Sequence, residues 1–244
     1  MNARRTLATT ARVLTQIRHD PRTIALLVVV PCFLIGLVAW IFSNGRAFQT
    51  IGPAMIAVFP FIVMFTVTSV ITLRERRSGT LERLLALPLA KADFIVGYAL
   101  AFALLAAIQV TAAVSFAVWV CGLTISGDVL LFFAAALTDA VLGTSLGLLV
   151  SAFATSEFQA VQFLPALVFP QILLGGLFLP RAQLPDVLHA VGDWLPLTHT
   201  MDAISAVAAD SHGTGWVLDE LAVAAAYAVG ALLLGALTLR RRTP

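Results

Sequence analysis

Charge is scarce in this sequence. Only 11% of its 244 residues are Asp, Glu, Lys or Arg, against roughly 25% in an average soluble domain. Hydrophobic residues make up 60% and the mean hydropathy is +0.97, more apolar side chain than a water-soluble globule of this size could cover. Cysteine is almost missing as well. Cys32 and Cys121 stand in or at the end of long apolar runs without a CxxC or a paired spacing, so neither a disulfide framework nor a metal site is indicated. The four histidines, His19, His189, His199 and His212, all lie outside those runs. The pattern G-x-x-x-x-G-K-[ST] is absent, which excludes a recognisable phosphate-binding loop. No basic stripe with interleaved aromatics marks a nucleic-acid face.

Long apolar runs are what the sequence has instead. A bilayer core takes about 20 mostly apolar residues per helix, and six segments qualify: Ile24 to Phe42, Pro53 to Leu73, Phe94 to Val120, Val129 to Phe153, Val161 to Leu179 and Val217 to Leu239. The expected fold is an all-α polytopic membrane protein, one transmembrane domain over 1–244 with six spans. The first run is a full span long and follows a basic leader, so it reads as a retained anchor rather than a cleaved signal peptide.

An even number of spans puts both termini on one side. The leader carries Arg4, Arg5, Arg12, Arg18 and Arg22. The loop after the second span carries Arg74, Arg76, Arg77, Arg83 and Lys91, and the tail Arg240, Arg241 and Arg242. Only Arg46 and Arg181 fall on the other face, so the positive-inside rule makes both termini of this multi-pass cell-membrane protein cytoplasmic. Within the leader, 1–23, Leu7, Ala11, Leu14 and Ile17/Arg18 recur at helical spacing, as expected for an amphipathic helix on the inner membrane surface; a disordered basic tail is the alternative. Between spans five and six, 180–216 is too polar to cross. It carries Leu184, Val187, Leu188, Val191 and Leu195 on one helical stripe and Met201, Ile204 and Ala208 on another, with Pro196 between them. Two short helices packed into or against the outer face are expected, a plain loop being the alternative.

The cytoplasmic loop, 74–93, holds the most informative residues. Thr80 is suited to cap a helix, Glu82 sits in its first turn, Pro88 stops it, and Leu81, Leu84 and Leu85 form an apolar knob. Such a helix suits docking into a groove on a soluble partner. The pattern E-x-x-x-G-T-L-E-x-L-L-x-x-P, carried by Glu75, Gly79, Thr80, Leu81, Glu82, Leu84, Leu85 and Pro88, resembles the segment after the second span of ABC-2-type permeases, the membrane subunits of many ABC exporters. Pro170 through Pro185, with Gly175, Gly176, Phe178 and Pro180, followed by Leu195-Pro196-Leu197-Thr198 and Asp202, looks like that family's fifth span and outer helical segment. The resemblance implies a coupling helix seated on a separate ABC ATP-binding subunit. It also implies a second permease copy, in a homodimer or heterodimer, with ATP and Mg bound by the partner and no cofactor bound by this chain.

Asp139 falls near the middle of the fourth span, where a carboxylate costs at least about 2.5 kcal/mol and is a functional candidate by default. Asp139, Gly143, Gly147 and Ser151 share one face, and close helix packing through Gly143-x-x-x-Gly147 is the favoured reading over proton or substrate handling. Gly143 to Gly147 also spells G-x-S-x-G, but an uninterrupted membrane helix without a histidine base is the wrong context for a hydrolase. His189 and Asp193 are four apart on the expected outer helix; exposed polar residues on an amphipathic helix account for them and no metal is assigned. For a substrate route, the proline-broken second and fifth spans offer Phe61, Phe65, Thr68 and Thr72, and Phe169 and Gln171. The expectation is a non-enzymatic permease exporting a hydrophobic or amphipathic compound such as a drug, antibiotic or lipid. Export of polysaccharide or lipid-linked glycan, proton-coupled transport through Asp139, and a purely structural role are the alternatives.

Overall fold

The computed structural model describes residues 3–42, 45–77, 91–179 and 181–238. These residues form nine α-helices and no strand: α1 (Ala3–Arg18), α2 (Pro21–Ile41), α3 (Arg46–Arg77), α4 (Lys91–Trp119), α5 (Val129–Ser151), α6 (Glu157–Leu174), α7 (Asp186–Gly192), α8 (Pro196–Ala209) and α9 (Thr214–Thr238), with a 3-10 turn at Arg181–Gln183. Six of them, α2, α3, α4, α5, α6 and α9, are long and apolar enough to cross a membrane. The chain is an all-α polytopic membrane protein.

Local chemistry sets the helix starts. Asp20 accepts from the backbone N–H groups of Arg22 and Thr23 and Pro21 opens α2, where the missing proline N–H costs nothing. Asp128 caps α5 through Leu130 N–H at 2.7 Å and Leu131 N–H at 3.0 Å, and Ser156 caps α6 through Gln159 N–H.

Two spans differ from their expected bounds. Helix α3 begins seven residues before Pro53, because Pro53 and Pro60 are carried inside one 32-residue helix whose first turn is tied by Gln49 to the Gly122 carbonyl and to Thr124. The fifth span stops at Leu174 rather than Leu179. Gly175 lies so close to Met201 that an added Cβ would meet its Sδ at 2.7 Å, and Gly176 takes a left-handed φ of 90°, a conformation that ends a helix and suits glycine.

At the centre, α3 and α5 pack backbone against backbone. A Cβ on Gly143 would stand 2.7 Å from the Phe61 carbonyl oxygen, and one on Gly147 would stand 2.5 Å from that of Phe65. Small residues permit this approach, which takes the place of hydrophobic burial as the force between helices in lipid.

The leader is helical, and the face it turns to the bundle overlaps the expected apolar stripe at Ile17, with Leu14 half-buried. Thr6, Thr9, Thr10, Val13 and Ile17 are buried while Leu7 and Ala11 are exposed. The buried stripe lies against α4, where the Thr10 hydroxyl donates to the Gly97 carbonyl at 3.0 Å and the Gly97 backbone touches Thr9. Threonine hydroxyls that back-bond to the helix or its neighbour bury readily, so this face holds Thr6, Thr9 and Thr10 beside Val13 and Ile17. Between the fifth and last spans two helices do form. Met201, Ile204 and Ala208 of α8 are buried, but Val187, Leu188 and Val191 of α7 are exposed, together with Trp194.

Candidate functional site

Two polar clusters stand at opposite ends of the α3–α5 packing. At the α1 end, Glu75 is 4% exposed near the C-terminus of α3. Arg12 of α1 reaches it with Nη1 at 3.2 Å from Oε1, donates also to the Tyr98 hydroxyl of α4, and lies with its guanidinium carbon 5.7 Å from the Tyr98 ring centroid. One guanidinium therefore joins α1, α3 and α4. Two neighbours continue the belt: Arg74 pairs with Glu157 of α6 at 2.7 Å, and Arg76 donates to the Ser151 carbonyl that ends α5 at 2.8 Å.

Of the residues expected to couple to a partner, Glu75 alone is described; Gly79, Thr80, Leu81, Glu82, Leu84, Leu85 and Pro88 lie outside the described residues. Of the expected pathway residues, Phe61, Phe65 and Thr68 are fully buried and Thr72 nearly so, all on α3, whereas Phe169 of α6 is half exposed. None of the six lines the described cavities around Arg181, Tyr227 or Gln109. Gln171 instead fastens α8: its Nε2 donates to the Leu167 carbonyl and its Oε1 accepts from Leu197 N–H at 3.2 Å.

Asp139 is fully buried on α5. The Thr200 hydroxyl of α8 lies 2.6 Å from its Oδ1 and 3.0 Å from the Leu197 carbonyl, while Oδ2 has no partner among the described residues. Helix α8 is thus hydrogen-bonded to α5 through Asp139 and to α6 through Gln171.

Arg181 bridges Asp193 at the end of α7 and Asp202 of α8, and His189 Nδ1 lies 3.3 Å from the other Asp193 oxygen. His199 meets Glu220 of α9. Burial pushes the Asp202 carboxyl up from its ordinary value, and the Arg181 guanidinium pulls it back. An open cavity of about 620 Å³ adjoins this cluster, lined among others by Gln49, Thr124, Arg181, Asp202 and His212. No metal-binding group of three or more His, Cys, Asp or Glu occurs among the described residues.

The Arg12–Glu75–Tyr98 and Asp139–Thr200 contacts join residues 61 to 86 positions apart, and no short spacing announces them. What the sequence does offer is the oddity of each member: a carboxylate at a span end, an Arg off the leader's apolar stripe, and a tyrosine opening the third span.

Six apolar helices, close glycine packing and ionisable residues gathered toward the helix ends, Asp139 excepted, define a multi-pass membrane protein. Residues 4–208 match the model of the ABC-2 type transporter family, and the chain belongs to that family of ABC transporter permeases. It is similar to the probable multidrug ABC transporter permease YbhR of Escherichia coli K12, at 31% identity over 154 residues, 62% of this chain and 41% of that protein. It is similar also to ABC transporter G family member 20 of Dictyostelium discoideum, at 28% over 161 residues, 66% of this chain and 22% of that protein. The probable multidrug permease YbhS of Escherichia coli K12 matches at 22% over 156 residues, 64% of this chain and 41% of that protein. The matched part spans less than half the length of each of these relatives.

Proposed function

We propose that this chain is the permease of an ATP-driven exporter, and that a separate ATP-binding subunit docks on the segment from Gly79 to Pro88. The observation that carries this is the Arg12–Glu75–Tyr98 junction. It ties the end of α3, four residues before Gly79, to α1 and α4 at a buried carboxylate. A force applied to the segment that follows α3 would reach three helices together, and α3 would pass it along the rigid glycine contacts to α5. ATP and Mg belong to the partner, which supplies the hydrolysis, so the permease is a mechanical element rather than an enzyme. In the sequence, thirteen of the fifteen basic residues fall in the leader, the segment after the second span and the tail, which supports a cytoplasmic placement of both termini.

A second permease copy completes the path. The cargo is a hydrophobic or amphipathic compound, a reading supported by the multidrug designation of YbhR and YbhS and by the apolar faces of α2 and α6. A proton-coupled alternative would place a relay at Asp139, but the hydrogen-bond partner of that carboxyl is the Thr200 hydroxyl rather than a second titratable group.

The test is charge reversal on the docking segment. Glu82→Arg is expected to keep membrane insertion while losing co-purification with the ATP-binding subunit and losing transport. A variant that still co-purified and transported at the wild-type rate would remove the coupling assignment.

A further inference from the structure

A cleft of about 250 Å³ lies between α1, α2 and α4, apart from both clusters described above. Its walls are almost entirely apolar, with Leu14, Ile24, Leu27 and Leu105 among them, but Gln109 and Arg18 also line it. Gln109 is 0% exposed, and neither its Oε1 nor its Nε2 has a hydrogen-bond partner among the described residues. A buried amide with both ends unpaired is costly to keep, and so signals a ligand able to satisfy it. Arg18 is exposed beside the cleft and Arg22 is exposed at the first turn of α2. Neither has a carboxylate within ion-pair distance among the described residues, in contrast to Arg12, Arg74 and Arg181.

Depth narrows the choice of ligand. Ile24, Leu27 and Val28 form the first two turns of a membrane-crossing helix, so the cleft opens just inside the bilayer boundary at the α1 end. Lipid ester carbonyls and the first methylenes of acyl chains occupy that level, with phosphates immediately beyond. Cations at the boundary favour anionic headgroups. We propose that this cleft is a binding site for one anionic glycerophospholipid of the leaflet facing α1. An acyl chain fills the apolar walls, an ester carbonyl accepts from the Gln109 amide, and the phosphate lies against Arg18 and Arg22. The site would pin α1 to the bundle from its lipid side, and it stands whether or not the chain works with an ATPase.

The experiment uses the full chain reconstituted in vesicles of phosphatidylcholine doped with a trace of phosphatidylglycerol carrying a photoactivatable acyl chain, and in parallel vesicles where the labelled lipid is phosphatidylcholine. Labelled peptides are mapped by mass spectrometry. Label from phosphatidylglycerol is expected to concentrate on residues 14–28 and 105–109, roughly fivefold or more above label from phosphatidylcholine. Leu105→Trp, which fills the cleft, is expected to cut that label about tenfold. Gln109→Leu removes an unpaired amide and so should fold at least as well as the wild type, yet lose label severalfold. Equal labelling by the two lipids, or labelling unchanged in a folded Leu105→Trp protein, overturns the site. Labelling unchanged in Gln109→Leu overturns the role given to the amide.

Discussion

At the α1 end of the bundle, helices are joined by full charges: Arg12 with Glu75, Arg74 with Glu157. Toward the opposite end, helix α8 is held in two ways: by uncharged donors, Thr200 on Asp139 and Leu197 N–H on Gln171, and by ionisable pairs of its own, Asp202 with Arg181 and His199 with Glu220. Charge pairs are costly to bury but strong and separable at an aqueous boundary, whereas short neutral hydrogen bonds at membrane depth lock a helix in place. The α1-end junctions named here thus rest on charge pairs, while α8 adds uncharged hydrogen bonds inside the bundle to its pairs with Arg181 and Glu220. Between them, the glycine contacts of α3 with α5 form a waist common to both ends.

The largest effect is expected at that waist. Gly147→Leu would drive a side chain into the Phe65 carbonyl, where backbone cannot give way. Loss of the monodisperse folded species in size-exclusion chromatography is the expected result, with Gly147→Ala costing about 1–3 kcal/mol. Gly235, whose added Cβ would find its nearest neighbour at 3.7 Å, should accept alanine with little change. A stable Gly147→Leu protein would mean that the waist is looser than drawn.

Glu75→Ala comes next and separates the two ends. Breaking a fully buried pair costs about 3–5 kcal/mol. Arg12 is 32% exposed, so solvent screening reduces the expected loss to about 1–3 kcal/mol in thermal unfolding. Proteolysis should accelerate in α1 and not in α8. Equal acceleration in both would erase the distinction between the ends.

A smaller effect is expected as a pH dependence at Asp202. Its carboxyl is raised in the folded chain, first by burial, so the folded state binds more protons than the unfolded state. That contribution to stability is complete below the ordinary value of 3.8 and is lost as pH rises through the higher folded value. Asp202→Asn should therefore flatten the fall in unfolding temperature across that window, and an unchanged profile would count against the burial. Smallest of all is Glu157→Gln. Both members of its pair with Arg74 are about half exposed, and a loss of about 0–1 kcal/mol is expected.

Much of this architecture is legible in the sequence, because hydropathy responds to the bilayer directly. The runs around Val129 and Val217 match their helices within a few residues. What hydropathy cannot register is protein contact within the membrane. Pro53 and Pro60 mark no helix boundary, since α3 carries both inside one helix. The leader buries threonines because α4 offers a glycine at residue 97 to receive them. Phe61 and Phe169 look alike as aromatic residues beside prolines, yet one is sealed against α5 and the other half exposed. Gln171 reads in the sequence as pathway polarity, and the fold adds what spacing cannot show, the bonds of its amide to Leu167 and Leu197.

The most direct test of the account measures uptake of a labelled amphipathic cation into inverted vesicles that contain this permease and its ATP-binding subunit. The expected result is uptake that requires ATP, disappears when the phosphate-binding lysine of the ATPase is replaced, and survives a protonophore. Uptake by the permease alone, driven by a pH gradient and abolished in Asp139→Asn, would contradict it.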